Sequence, residues 1–222
     1  MKKLMSLLLL GFLVLAPLGG SAAESPVGPG MKRAFELFVP IACTYPEHFR
    51  WPTGTAFPVA GDMLMTAAHV DCGEGGIMEI SNDGGVSWRR VMHEDRYVHS
   101  EWDVQIILVK GAGYRRPASF RPAKLGEEVF GYGVALDRIG TTGHIMASDA
   151  KRVYSSSTVI GGMSGSALVG RDGKVVGMTV AAMPGFVGGR YVSAWVTLAI
   201  PGPVLADLLK TLKASLAKKP TN

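Results

Sequence analysis

The stretch Gly161-Gly162-Met163-Ser164-Gly165-Ser166-Ala167-Leu168 sets a serine among glycines, after Val159-Ile160 and before Val169. Gly162 permits a tight turn that a residue with a Cβ resists. Such a turn points backbone N–H groups outward and leaves the Ser164 hydroxyl beside them rather than in a core. A nucleophile next to preorganised N–H donors is what acyl transfer requires. Taken alone, the stretch reads equally well as a glycine-rich hairpin turn. Residues further upstream separate the two readings.

Met65-Thr66-Ala67-Ala68-His69-Val70 carries a histidine at the end of a short apolar run. Glu101-Trp102-Asp103 leads directly into the apolar run Val104–Val109. The chain therefore offers His, then Asp, then Ser, each in a distinctive setting. Thr-Ala-Ala-His, Asp before an apolar strand, and Gly-x-Ser-Gly together resemble the motifs of the trypsin/chymotrypsin-like serine proteases. The resemblance runs from about Pro40 to Leu209. The compact spacing is most similar to the bacterial branch, which includes Deg-type periplasmic proteases and glutamyl endopeptidases.

The resemblance implies an all-β fold of two six-stranded antiparallel β-barrels with a C-terminal α-helix. His69 and Asp103 would come from the first barrel and Ser164 from the second. It implies that Ser164 attacks the scissile carbonyl, His69 relays the proton and Asp103 holds the imidazole. The N–H groups of Gly162 and Ser164 would form the oxyanion hole. Thr158 would lie at the floor of the substrate pocket, with Val180, Ala181 and Ala182 lining its wall and pairing with peptide backbone. None of these four is charged, so the expected preference is for a small or medium apolar residue before the cut. His144 or Thr158 binding a glutamate side chain is the competing expectation. Regulation by a peptide-binding PDZ domain after the barrels is not expected. The other function class the motifs allow is a catalytically inactive protease-fold binding module.

Two departures from the family pattern matter. Met163 stands where the animal digestive enzymes carry an aspartate that pairs with a newly cut N-terminus, which implies maturation without an internal cut. Ser166-Ala167 replaces the Gly-Pro of many relatives. Residue order also excludes Ser164 as an α/β-hydrolase nucleophile, because no histidine follows it. Asp62 would serve only a subtilisin order, but it sits in a turn and the strands do not alternate with helices as that fold requires. Asp95 is the rival to Asp103, but it lies between charged residues and precedes no apolar strand. His48, His93, His99 and His144 read as surface residues.

Lys2-Lys3, the apolar run Leu4–Leu15 and the small-residue tail Ala16–Ala23 read as a secretory signal peptide cut after Ala23. The apolar run is too short for a span of about 20 residues, so no stable membrane anchor is expected. The expected location is secreted or periplasmic. The formal net charge is +5, two units of which are Lys2 and Lys3 in the leader. The remaining excess is scattered, so no nucleic-acid partner is expected. The partner is a peptide or protein substrate, and the oligomeric state stays open. Cys43 and Cys72 are an even pair in an exported chain, which favours a disulfide over two buried thiols. Such a bridge would pin the histidine turn to the first strand, and relatives often carry one there. No metal or cofactor is expected, since Cys72 and His69 lack two further ligands at matching spacing.

With the leader at 1–23, the first barrel is assigned to 24–112, the second to 113–200, and a helix and tail to 201–222. Glu24–Gly30 reads as loose, Phe35–Thr44 as a strand, Tyr45–Thr53 as a loop and Gly140–Gly143 as a turn. Gly111–Pro122 reads as the linker. Leu205, Leu208, Leu209, Leu212 and Leu216 mark an amphipathic helix started by Pro201 and Pro203.

Overall fold

The computed structural model describes residues 28–47, 50–134, 138–187 and 190–218. The expected leader and His48 lie outside the described residues. Among the described residues the first element is helix α1 (Pro29–Glu36) and the last is helix α2 (Gly202–Ala217). Between them is an antiparallel all-β body in two parts.

The first part contains β1 (Val39–Thr44), β2 (Trp51–Ala60), β3 (Met63–Thr66), β4 (Ile77–Ile80), β5 (Arg89–Arg90), β6 (Arg96–Val98) and β7 (Gln105–Leu108). They form one seven-stranded sheet in the order β5-β4-β1-β2-β3-β7-β6. The second part contains β8 (Glu128–Gly133), β9 (Ile139–Ser148), β10 (Val153–Ser155), β11 (Ala167–Gly170), β12 (Val175–Val187) and β13 (Arg190–Pro201). They close into a barrel in the order β10-β13-β12-β11-β8-β9. The architecture is the chymotrypsin-like one expected. Its first half is a half-barrel whose ends are the short strands β5 and β6.

The largest hydrophobic cluster runs through both halves. Ile41, Phe57, Met65 and Ile107 of the first sheet join Val169, Met178 and Ile200 of the barrel. Leu205 and Leu209 of α2 belong to the same cluster. Each such fully buried side chain is worth about 1.5–3 kcal/mol relative to an exposed one. The barrel adds a smaller interior of Val129, Ile145, Val153, Leu168, Val176 and Ala199.

Four local readings are corrected. Phe35 and Glu36 belong to α1, not to the first strand. The helix begins at Pro29 inside the stretch read as loose, because a proline near a helix start costs no hydrogen bond. Trp51–Thr53 belong to β2, not to a loop. Gly140–Gly143 lie within β9, not in a turn. There glycine serves close approach: a Cβ on Gly143 would stand 2.2 Å from the Ser157 backbone nitrogen.

The linker is laced to both halves. Tyr114 N–H donates to Gly61 O at 2.6 Å and Ala118 N–H to Pro58 O at 2.7 Å. Arg121 N–H donates to Val175 O at 3.0 Å. The Arg121 side chain forks between Glu127 and Asp172, at 2.7 and 2.8 Å.

Candidate active site

The histidine turn follows β3 directly. Val70 N–H closes it onto Ala67 O at 3.1 Å, and Asp71 N–H donates to His69 O at 2.8 Å. Gln105 braces it from the facing strand β7. Its Nε2 donates to Ala67 O at 3.2 Å and to Val70 O at 2.7 Å, while its Oε1 accepts from Arg96 Nε at 3.0 Å. Gln105 is fully buried, and these partners satisfy an amide that would otherwise be costly there. The exit of the turn is tied to β1 by the disulfide Cys43–Cys72. The Tyr45 hydroxyl donates to Cys72 O. A disulfide fits an oxidising compartment. Among the described residues no helix is long and apolar enough to cross a membrane.

Asp103 lies in the loop before β7. His99 N–H donates to Val104 O at 2.9 Å, closing that loop, and Val104 N–H donates to Trp102 O at 2.7 Å. Both carboxylate oxygens of Asp103 meet the histidine. Oδ1 accepts the His69 backbone N–H at 2.9 Å, and Oδ2 stands 2.6 Å from His69 Nδ1. An ionised carboxylate can only accept, so the Nδ1 proton lies between them and Nε2 is left as the basic nitrogen. The side chains are 48% and 37% exposed, so the pair contributes at most about 1 kcal/mol to stability. Its effect is orientation. Asp62 instead accepts Gly113 N–H at 3.0 Å, and Asp95 faces Lys110 at 3.7 Å.

The serine loop turns on two glycines with φ of +92° at Gly162 and +83° at Gly165. Met163 N–H donates to Ile160 O at 3.1 Å and Ser166 N–H to Met163 O at 3.0 Å. Met163 is buried, with its side chain against Gly133. The loop is fastened to the first half of the molecule. Thr55 N–H donates to Ser164 O and Thr55 Oγ1–H to Gly162 O, both at 2.9 Å. Thr55 O in turn accepts Thr66 Oγ1–H at 2.7 Å. Ala67, two residues before His69, presses on the same loop: a Cβ on Gly165 would stand 2.9 Å from its nitrogen. Ser164 is part-exposed. Among the described residues no acceptor takes the N–H of Gly162 or of Ser164.

Thr158 is exposed, and Val180, Ala181 and Ala182 are part-buried on β12. β11 stops pairing with β12 at Ala167↔Met178, so among the described residues no strand pairs with the β12 edge facing away from β13 from Val180 onward. The strand before Thr158 is fixed by buried hydroxyls. Ser155 Oγ and Ser157 Oγ are 2.6 Å apart, and Thr197 Oγ1–H donates to Ser157 O at 2.6 Å.

Sequence reading missed Gln105, Thr55 and this hydroxyl cluster. Gln105 had a usable signal, a lone polar residue inside an apolar run. Among the described residues no cluster of His, Cys, Asp and Glu could hold a metal ion. A search of curated proteins finds no match to the chain. The family model for the trypsin-like peptidase domain matches residues 54–178, which span the histidine turn, the Asp103 loop and the serine loop. With more than half its length matched to that model, the chain belongs to the trypsin-like peptidase family.

Proposed function

We propose that the protein is an exported serine endopeptidase working through Ser164, His69 and Asp103. Ser164 Oγ attacks the peptide carbonyl as His69 Nε2 takes its proton. The proton passes to the departing amine as the C–N bond breaks, leaving an acyl-enzyme. Water then releases the acid by the same relay in reverse. The N–H groups of Gly162 and Ser164 stabilise the oxyanion. The unpaired β12 edge binds extended peptide, and the uncharged Thr158, Val180, Ala181 and Ala182 favour a small or medium apolar residue before the cut. The leader directs the chain out of the cytoplasm and is removed after Ala23.

The observation that carries this reading is the double engagement of His69 by Asp103, beside a serine loop fastened to Thr55 and pressed on Ala67. A fluorophosphonate probe tests it. Labelling of the folded protein that vanishes in Ser164→Ala is expected. A folded protein that takes no label would leave the binding-module reading. A peptide library then reports the residue before the cut. Strong cleavage after Arg, Lys or Glu would overturn the apolar preference.

A further inference from the structure

We propose that His99 is a positioning residue for Asp103, acting as a neutral imidazole that caps the loop from which the carboxylate projects. This rests on the reading of Asp103 as the orienting acid. His99 Nδ1 accepts two backbone N–H groups, from Glu101 at 3.1 Å and Trp102 at 3.3 Å. Its own N–H closes the loop on Val104 O at 2.9 Å. One residue therefore fixes both ends of a loop with Asp103 inside it. A side-chain acceptor that takes the N–H two residues on is the device by which Asn and Asp hold turns, here supplied by a ring nitrogen. A ring accepting at Nδ1 carries its proton on Nε2.

His99 lies close to α2. It lines an apolar groove of about 290 Å³ with Tyr97 and Val104 on one side and Leu208 and Leu212 of α2 on the other. Thr211 and Ser215 complete the α2 wall. Removing the ring acceptor would leave the Glu101 and Trp102 amides without it and release the loop. The His69–Asp103 contact would then lose its fixed geometry, and small misplacements of catalytic groups cost up to about a hundred-fold in rate.

The experiment compares wild type, His99→Ala and His99→Asn. The Asn side chain still offers an oxygen to the Glu101 N–H. Three quantities are read: kcat/KM, amide exchange at Glu101 and Trp102, and the NMR resonance of the His69 Nδ1 proton. His99→Ala is expected to lower kcat, about ten- to a hundred-fold, with KM little changed. It should also lose protection at both amides and broaden or shift the His69 proton. His99→Asn should recover protection at Glu101 and most of the rate. An Ala variant that keeps a wild-type His69 resonance, or loses amide protection without losing rate, overturns the proposal. The His69 resonance reads positioning even in a protein that hydrolyses nothing, so failure of the proposed activity is told apart from failure of this inference.

Discussion

Gly165 shows how little freedom a single residue in this site has. Its φ of +83° disfavours any side chain, and a Cβ there would stand 2.1 Å from both Thr55 O and Thr66 Oγ1. Gly165→Ala is therefore expected to cost about 2–4 kcal/mol, from backbone strain plus overpacking. Activity should fall further than stability, because relief requires the serine loop to leave Thr55. Denaturant unfolding and kcat/KM on the same samples check this. A variant with wild-type values in both would show that the loop is not held as described. Ser164, His69 and Asp103 could be singled out in the sequence because each has a local signature of small or apolar neighbours. Their supports could not. Gln105, Thr55 and His99 act on residues far away or through backbone groups, and neither relation leaves a periodic trace. His99 reads as a surface residue because nothing in the order of residues reveals that its ring nitrogen faces two amides.

Elements carry the histidine turn from two sides, β7 through Gln105 and β1 through the disulfide. The bridge joins cysteines 29 residues apart, next to the turn, so breaking it acts on both the unfolded chain and the site. Replacing Cys43 and Cys72 together by serine is expected to lower stability by about 2–4 kcal/mol. The rate should drop only moderately, because Gln105 still braces the turn. Thermal unfolding with and without reductant measures the first part, and wild-type stability in the double variant would contradict it. Element types were largely legible, because short apolar runs between turns survive in any β-rich sequence. The errors came where one residue serves two purposes. Glycine marks turns, yet at Gly143 it makes room for Ser157 in mid-strand. The two-residue β5 and three-residue β6 are too short to leave an alternating pattern.

The whole molecule is held between acid and alkaline limits by groups in different parts of it. The Arg121 guanidinium holds the Asp172 carboxyl below its usual range, and Arg50 does the same for Glu79, helped by Thr44. Both acids hold their protons less tightly folded than unfolded. Their contribution is complete above the ordinary carboxylate range near pH 4 and is lost as pH falls through the folded values. Burial pushes the Tyr114 phenol above its usual range, against the lowering effect of its hydrogen bond to Asn82. Its contribution is complete below about pH 10 and is lost as pH rises beyond that. Tm should therefore fall on both sides of a neutral plateau, and Tyr114→Phe should flatten the alkaline side. A wild-type Tm that climbs between about pH 9 and 11 would contradict the assignment.

Helix α1 belongs by sequence to the first half but packs on the second, where Gly30 abuts Phe130 and Phe35 meets the Tyr132 ring edge-on at 5.1 Å. Arg33 reaches past it to Arg116 O and Pro117 O, both at 3.0 Å. In a chain emerging from its amino end, residues 29–36 are free long before β8, β9 and β11 exist to receive them. The first described element is thus among the last to be seated, and anything that detains residues beyond 128 detains it too.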